Sequence, residues 1–77
     1  KSEYDRLLRF LMYNAGSPPA WVTTCVVAED SHVPPAYYDS SVSDIEWYYR
    51  VLALHNARAK AEDYHRRKAE RKSRMGR

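Results

Sequence analysis

The side chains that could act as a nucleophile, a base or a metal ligand are few and widely spaced. Cys25 is the only cysteine among the 77 residues, and the three histidines stand at positions 32, 55 and 65. A cysteine nucleophile needs a base within hydrogen-bond reach. Cys25 instead lies in the apolar run 21–28, without a base near it in the sequence. We therefore expect a buried and unreactive thiol.

Neither a metal centre nor a pair of catalytic carboxylates is indicated. His55 and His65 could share a helical face, but they stand nearly three turns apart, too far to bind one ion. A single cysteine cannot form an internal disulfide, and zinc-type Cys/His spacing is absent from the sequence. The acidic residues show no arrangement suited to general acid–base catalysis. We expect a protein that is not an enzyme and has no catalytic residue, cofactor, metal or small-molecule substrate.

Basic side chains are concentrated toward the C-terminal end. Residues 1–49 carry a charge of −4 and residues 50–77 carry +7, which together make the net charge of +3. Phosphates or an acidic protein surface could be bound by the residues that we call the basic tail: Arg66, Arg67, Lys68, Arg71, Lys72 and Arg74. The alternative is a solvated helix end whose bases complement the helix dipole. Tyr64 is the only aromatic residue there, which argues against nucleic acid because stacking platforms need several.

Aromatic residues form the second candidate binding surface. Seven tyrosines and two tryptophans are many for a chain of 77 residues, and both types are enriched at protein interfaces. The candidate protein-binding residues are Trp47, Tyr48, Tyr49, Tyr37 and Tyr38. The alternative is that they form the core of a small helical domain. Core packing is the better interpretation for Trp47 and Trp21, whereas the two interpretations are balanced for Tyr37, Tyr38 and Tyr49.

A single long helix is predicted to hold most of these residues, over residues 43 to about 72–74. Ser43 and Glu46 have the spacing of a capping box, and Val42 and Trp47 have that of a hydrophobic staple. No glycine or proline follows until Gly76.

This long helix changes character along its length. Residues 45–54 are apolar nearly all round, which is typical of a helix that is buried on most sides. We expect the preceding helices to cover about half of that surface and another molecule to cover the rest. From Tyr64 onward the helix is polar and basic.

Two shorter helices are predicted before the long one. Residues 2–15 have Ser2 as N-cap and stop signals in Asn14 and Gly16. Their apolar residues have the spacing of one buried face: Tyr4, Leu7, Leu8, Leu11 and Ala15.

Residues 17–30 fit either a strand or a helix. We favour the helix, with Ser17 as N-cap and Pro18 as first residue, because no second strand is evident. Residues 31–42 form a proline-rich connector, and a short helical turn is expected at residues 35–39.

The predicted fold is all-α: one domain over residues 1–77, with two short helices packed on a long C-terminal helix whose basic end projects. A core of this size is marginal, so we expect a protein partner or self-association to add stability. The run 21–28 is too short to cross a bilayer, and the N-terminal sequence does not have the features of a signal peptide. We therefore expect a cytoplasmic protein without membrane contact. The chain begins with Lys1 rather than Met, so we also expect a processed, trimmed or excised piece.

The pattern SPPAWV, then the proline-rich connector, then VSDIEWYYRVLALHNARAKAE with a basic end resembles small proteins of actinobacterial tailed phages. These are tail-assembly chaperones and minor head or tail components. The resemblance covers residues 17–77 and implies an interaction protein that binds other phage proteins, often in an oligomer, in the host cytoplasm or the virion. The expected function is a non-enzymatic interaction or assembly module. The alternative is a nucleic-acid-binding accessory protein that uses the basic tail.

Overall fold

The computed structural model describes residues 2–75. The sequence predicts that the helix frays at Gly76; Gly76 and the last basic residue, Arg77, lie outside the described residues. Three α-helices follow one another: α1 (Glu3–Tyr13), α2 (Ala20–Ser31) and α3 (Asp44–Met75). A single 3₁₀ turn, Pro35–Tyr37, lies between α2 and α3, and residues 2–75 contain no strand. The predicted all-α class, with two short helices on a long one, is confirmed.

Helix α1 begins where its capping residue predicts and ends slightly early. The Ser2 hydroxyl oxygen accepts a hydrogen bond from the Asp5 backbone N–H at 3.1 Å. Asn14 has the left-handed φ of 54°, and its N–H donates to the Phe10 carbonyl at 3.0 Å. Asparagine tolerates this conformation and therefore ends helices. Ala15, which we had expected inside the helix, lies beyond its end.

Helix α2 confirms the helical alternative for this region, but the predicted start was wrong. Its N-cap is Pro19, with ψ of 148° and no side-chain capping bond, rather than Ser17. Pro18 is followed by another proline, and the residue before a proline is sterically restricted away from the α conformation. The helix therefore begins only at Ala20. It ends at Ser31, and the C-cap His32 that follows has a left-handed φ of 60°.

The start of α3 uses half of the predicted capping box. The Ser43 hydroxyl accepts from the Glu46 backbone N–H at 3.2 Å. The Glu46 carboxylate does not complete the box; it pairs with Arg50, one turn later, at 3.4 Å. Val42 packs against the core that contains Trp47, in keeping with a hydrophobic staple.

Helices α1 and α3 run in the same direction. Near the start of α1, Glu3 accepts a hydrogen bond from the Trp21 indole at 3.0 Å, and Trp21 lies 5.8 Å from the Arg50 guanidinium. Near the end of α1, the backbone carbonyl of Leu11 lies 2.9 Å from His65 Nε2. The segment 14–19 is not helical and returns the chain to the start of α2.

The core forms where all three helices meet, and it ends well before α3 does. Its buried residues come from each helix: Leu7 from α1; Trp21, Val22 and Cys25 from α2; and Trp47, Leu54 and Ala57 from α3. Ala57 is fully buried. Every described residue from His65 to the end of α3 is exposed. The helix spans about 48 Å at 1.5 Å per residue, and its basic end extends beyond the packed region.

Candidate protein-binding surface

The first half of α3 has one side that is covered by the rest of the chain. Trp47 is only 3% exposed, and its indole N–H donates to the Asp39 carbonyl at 2.9 Å. The Arg50 guanidinium lies 4.9 Å from the Trp47 ring centre. Trp47 therefore belongs to the core, which is the interpretation that the sequence favoured for this residue. It also lines a groove together with Tyr37 and Tyr48.

The opposite side of the same helix is apolar and exposed. We call its four residues the aromatic stripe: Ile45, Tyr48, Tyr49 and Leu52. Their spacing of three, four and seven residues places them on one helical face. Tyr48 is 63% exposed, and its ring makes an edge contact with Tyr49 at 5.7 Å. Ile45 and Leu52 are additions to the residues predicted from the sequence, and their spacing relative to the tyrosines was the signal that could have revealed them.

The two connector tyrosines have different surroundings. Tyr37 is exposed and lines a groove of about 600 Å³ together with Asp44, Tyr48 and the prolines of the connector. Tyr38 forms a 2.6 Å hydrogen bond through its hydroxyl with Ser31 at the end of α2. The structure thus brings Tyr37 to the edge of the aromatic stripe, whereas Tyr38 is attached to α2.

A second groove lies between α1 and α3 and has a basic rim. We call it the basic groove. It holds about 560 Å³ and is lined by Leu8, Met12, Lys60, Asp63, Tyr64, Arg67, Lys68 and Arg71. Among residues 2–75, no acidic side chain pairs with Lys60, Lys68 or Arg71. Lys60 was missed by the sequence analysis because it precedes the dense basic run and is brought to the groove only by its helical position.

The structure divides the predicted basic tail into three groups. Arg67, Lys68 and Arg71 line the basic groove. Arg66 forms an ion pair with Asp63, and the same carboxylate pairs with Arg67 at 3.1 Å. Lys72 and Arg74 are exposed in the last turn of α3.

Cys25 lies closer to possible bases than the sequence indicated. It lines a pocket of about 290 Å³ together with Glu29, His32 and His55. However, Cys25 is only 3% exposed, and its burial raises the pKa of the thiol. The neutral thiol is the poorer nucleophile, so this pocket has the residue types of a nucleophile–base pair without an activated nucleophile.

Residues 2–75 contain neither a cluster of metal-ligating side chains nor a helix that could span a membrane. Nowhere in residues 2–75 do three His, Cys, Asp or Glu side chains converge as a metal site would require. None of the helices described there combines the length and apolar character needed to cross a membrane. Comparisons with models of known protein families, with curated proteins and with solved structures find no match. The two exposed surfaces of α3 are therefore the basis for the functional proposal.

Proposed function

We propose that this protein is a non-enzymatic protein–protein interaction and assembly module that binds through the aromatic stripe. The observation that carries this proposal is the exposed, helically spaced set Ile45, Tyr48, Tyr49 and Leu52 on a helix whose opposite face is already packed. Contiguous exposed apolar patches mark interaction sites on soluble proteins, and a helix with such a face typically docks against another helix or into a groove.

The tyrosines suit this role energetically. Tyr48 and Tyr49 are large, have few rotatable bonds and keep a polar hydroxyl, so ordering them at an interface costs little conformational entropy. Aromatic residues of this kind supply much of the binding energy at hot spots. In a complex the apolar side chains of the stripe would be buried and contribute binding energy, whereas in the isolated chain they are exposed to water.

Assembly of a tailed-phage structure is the specific form of this role that the resemblance of residues 17–77 suggests. Small phage assembly proteins act by contacting other proteins, and a chain of this size with one exposed apolar helix face has the physical means to do so. The host cytoplasm or the virion would then be its location.

Nucleic-acid binding by the basic tail is the second candidate function. The observation in its favour is the set of six exposed basic residues between positions 66 and 74 of α3. Against it, Arg66 and Arg67 already pair with Asp63, and Tyr64 is half-buried, with its ring 5.3 Å from that of Tyr13. Strand binding by stacking needs exposed aromatic rings, which the described part of the tail does not provide.

A photo-crosslinking amino acid placed at Tyr48 in the native cell tests the proposal. The matched control places the same group at Thr23, an exposed residue on α2. We expect a discrete protein adduct from position 48 and none from position 23. Equal labelling at both positions, or none at Tyr48, would contradict a docking role for the stripe.

Titration with a nucleic-acid duplex and with a single strand tests the second candidate. Phosphate binding by six to ten contacts should weaken by about 10³–10⁵ between 50 mM and 200 mM salt. Contacts made by an apolar stripe depend much less on salt. Strong, steeply salt-dependent binding, lost when Arg71 and Lys72 are neutralised, would favour the nucleic-acid function.

A further inference from the structure

We propose that the partner of the aromatic stripe is a second copy of this chain. In the proposed dimer the two α3 helices are antiparallel, and the stripe of each copy lies over the basic groove of the other. This inference rests on the proposed function, because it names the partner of the same surface.

Charge complementarity is the first argument. The aromatic stripe is flanked by Asp44 and Glu46 in the first turn of α3. Asp44 has no basic partner among residues 2–75, and Glu46 is exposed and pairs with Arg50 of its own chain. The basic groove is rimmed by Lys60, Lys68 and Arg71, which have no acidic partner in the same range. Each copy thus has an acidic binding element and a basic receptor for it, and such complementarity selects both partner and orientation.

Apolar surface is matched as well as charge. The groove is lined by Leu8, Met12 and Tyr64 in addition to its basic residues. An isolated anion would leave these apolar side chains in water. An acidic segment that also carries Ile45 and Leu52 would cover them, so the stripe fits the groove better than a phosphate group does.

The positions of the two surfaces along α3 favour an antiparallel pair. The stripe is centred near residue 49 and the groove near residue 67, which places them about 27 Å apart along the helix. A two-fold axis that is perpendicular to α3 and lies between the two helices, level with residue 58, exchanges stripe and groove and forms both contacts together. Ala59, close to this axis, is small and exposed and lets the two helices approach. A parallel pair would instead place acids against acids.

The exposed area of the stripe is about half of what a standard interface needs from each copy. Tyr48 and Tyr49 are each about 60% exposed, and with Ile45 and Leu52 the stripe offers about 400 Å² of surface, since a buried aromatic residue contributes about 150–250 Å². A standard interface buries about 800 Å² per copy, so the stripe supplies about half of it, and the partner's stripe must cover the basic groove and the residues around it to supply the rest. A two-fold interface of this kind closes at two copies.

Complementary charge reversal tests the arrangement on the full chain. One variant reverses the acidic element, Asp44→Lys with Glu46→Lys, and a second reverses the groove, Lys68→Glu with Arg71→Glu. The wild type is expected to form dimers with twice the 9.1 kDa chain mass in light scattering coupled to size exclusion. Each variant alone should dimerise at least about tenfold more weakly, because both symmetric contacts become repulsive. Their equimolar mixture should regain wild-type dimerisation.

A control variant and circular dichroism separate loss of contact from loss of folding. Glu62→Lys reverses an exposed charge on a different side of α3 and should leave dimerisation unchanged. Recovery in the mixture also requires that both reversed chains fold. A wild type that stays monomeric throughout a dilution series, a mixture that fails to recover, or a mass that grows past two copies would overturn the proposal.

Different experimental results would contradict the proposed function and the proposed dimer. A monomeric chain that still gives a crosslink from Tyr48 to another protein overturns self-pairing and leaves the interaction function intact. Absence of any adduct at Tyr48 overturns both.

Discussion

Trp47 and Tyr48 are consecutive residues of α3, and they lie in opposite environments. Trp47 is 3% exposed and Tyr48 is 63% exposed, although both are large aromatic residues in one regular helix. A step of one residue rotates the side chain by about 100°, which carries it from the side that faces α1 and α2 to the side that faces solvent. Docking of the short helices, and not hydrophobicity, therefore determines which aromatic residue of α3 stabilises the fold.

The two sides also differ farther along the helix. The covered side continues through Leu54, Ala57 and Ala61, all of which are buried. The exposed side is apolar only as far as Leu52 and continues with Asn56 and polar residues. The covered side of α3 therefore packs against α1 over several helical turns, whereas the exposed side has one apolar patch near the start of α3.

Truncation of the two neighbouring aromatic residues should show the largest difference between the sides. Trp47→Ala removes a core side chain and its hydrogen bond to Asp39, and should lower the free energy of unfolding by about 3–5 kcal/mol. Tyr48→Ala should change it by less than about 0.5 kcal/mol in dilute solution. Urea denaturation followed by circular dichroism measures both. Equal losses would mean that Tyr48 supports the fold of the single chain.

Replacing one alanine by leucine on each side should show a smaller difference in the free energy of unfolding, again with the larger loss on the covered side. Ala57 is fully buried, so Ala57→Leu overpacks the contact between helices and should cost about 1–3 kcal/mol. Ala59 is exposed, and Ala59→Leu should leave the stability of the monomer nearly unchanged because leucine is a good helix former. Thermal denaturation at low protein concentration compares the two variants. A destabilising Ala59→Leu would contradict the exposed position of this residue.

The free energy of unfolding should depend weakly on pH in the acid range because of Asp39. This residue is connected to the covered side through its backbone carbonyl, which accepts the hydrogen bond of the Trp47 indole. Hydrogen bonds from the Ser41 hydroxyl and backbone N–H lower the pKa of the Asp39 carboxyl below its ordinary value of 3.8. A lowered pKa in the folded state means that this stabilisation is complete above pH 3.8 and is lost as the pH falls through the folded-state pKa. The effect is small because the carboxyl group is exposed.

Titration of the Asp39 carboxyl carbon by NMR tests this effect. Ser41→Ala removes the hydroxyl donor and should raise the pKa of Asp39 toward 3.8. Ser40→Ala is the matched control, because Ser40 donates no hydrogen bond to Asp39 among the contacts of residues 2–75. An identical pKa in the wild type and in Ser41→Ala would show that the hydroxyl does not stabilise the carboxylate.

Local features of the sequence determined the helices. Ser2 and Ser43 cap α1 and α3 through bonds to backbone N–H groups three residues later, and the absence of glycine and proline from 44–75 permits one continuous helix. The basic end of α3 and the candidate tyrosines were also evident from the sequence. Such features act within about one helical turn, so they can be recognised without knowledge of the tertiary structure.

The tertiary structure alone decided which surfaces remain exposed. The contacts that place α1 and α2 on α3 join residues far apart in the chain, such as Trp21 with Glu3 and His65 with Leu11. They cover Trp47, leave Tyr48 in solvent and bring Lys60 to the basic groove beside α1. A helix that is apolar nearly all round has no local signal for the side that will be covered. That side is selected by the packing of the whole domain, in which α1 and α2 bury the side of α3 that carries Trp47.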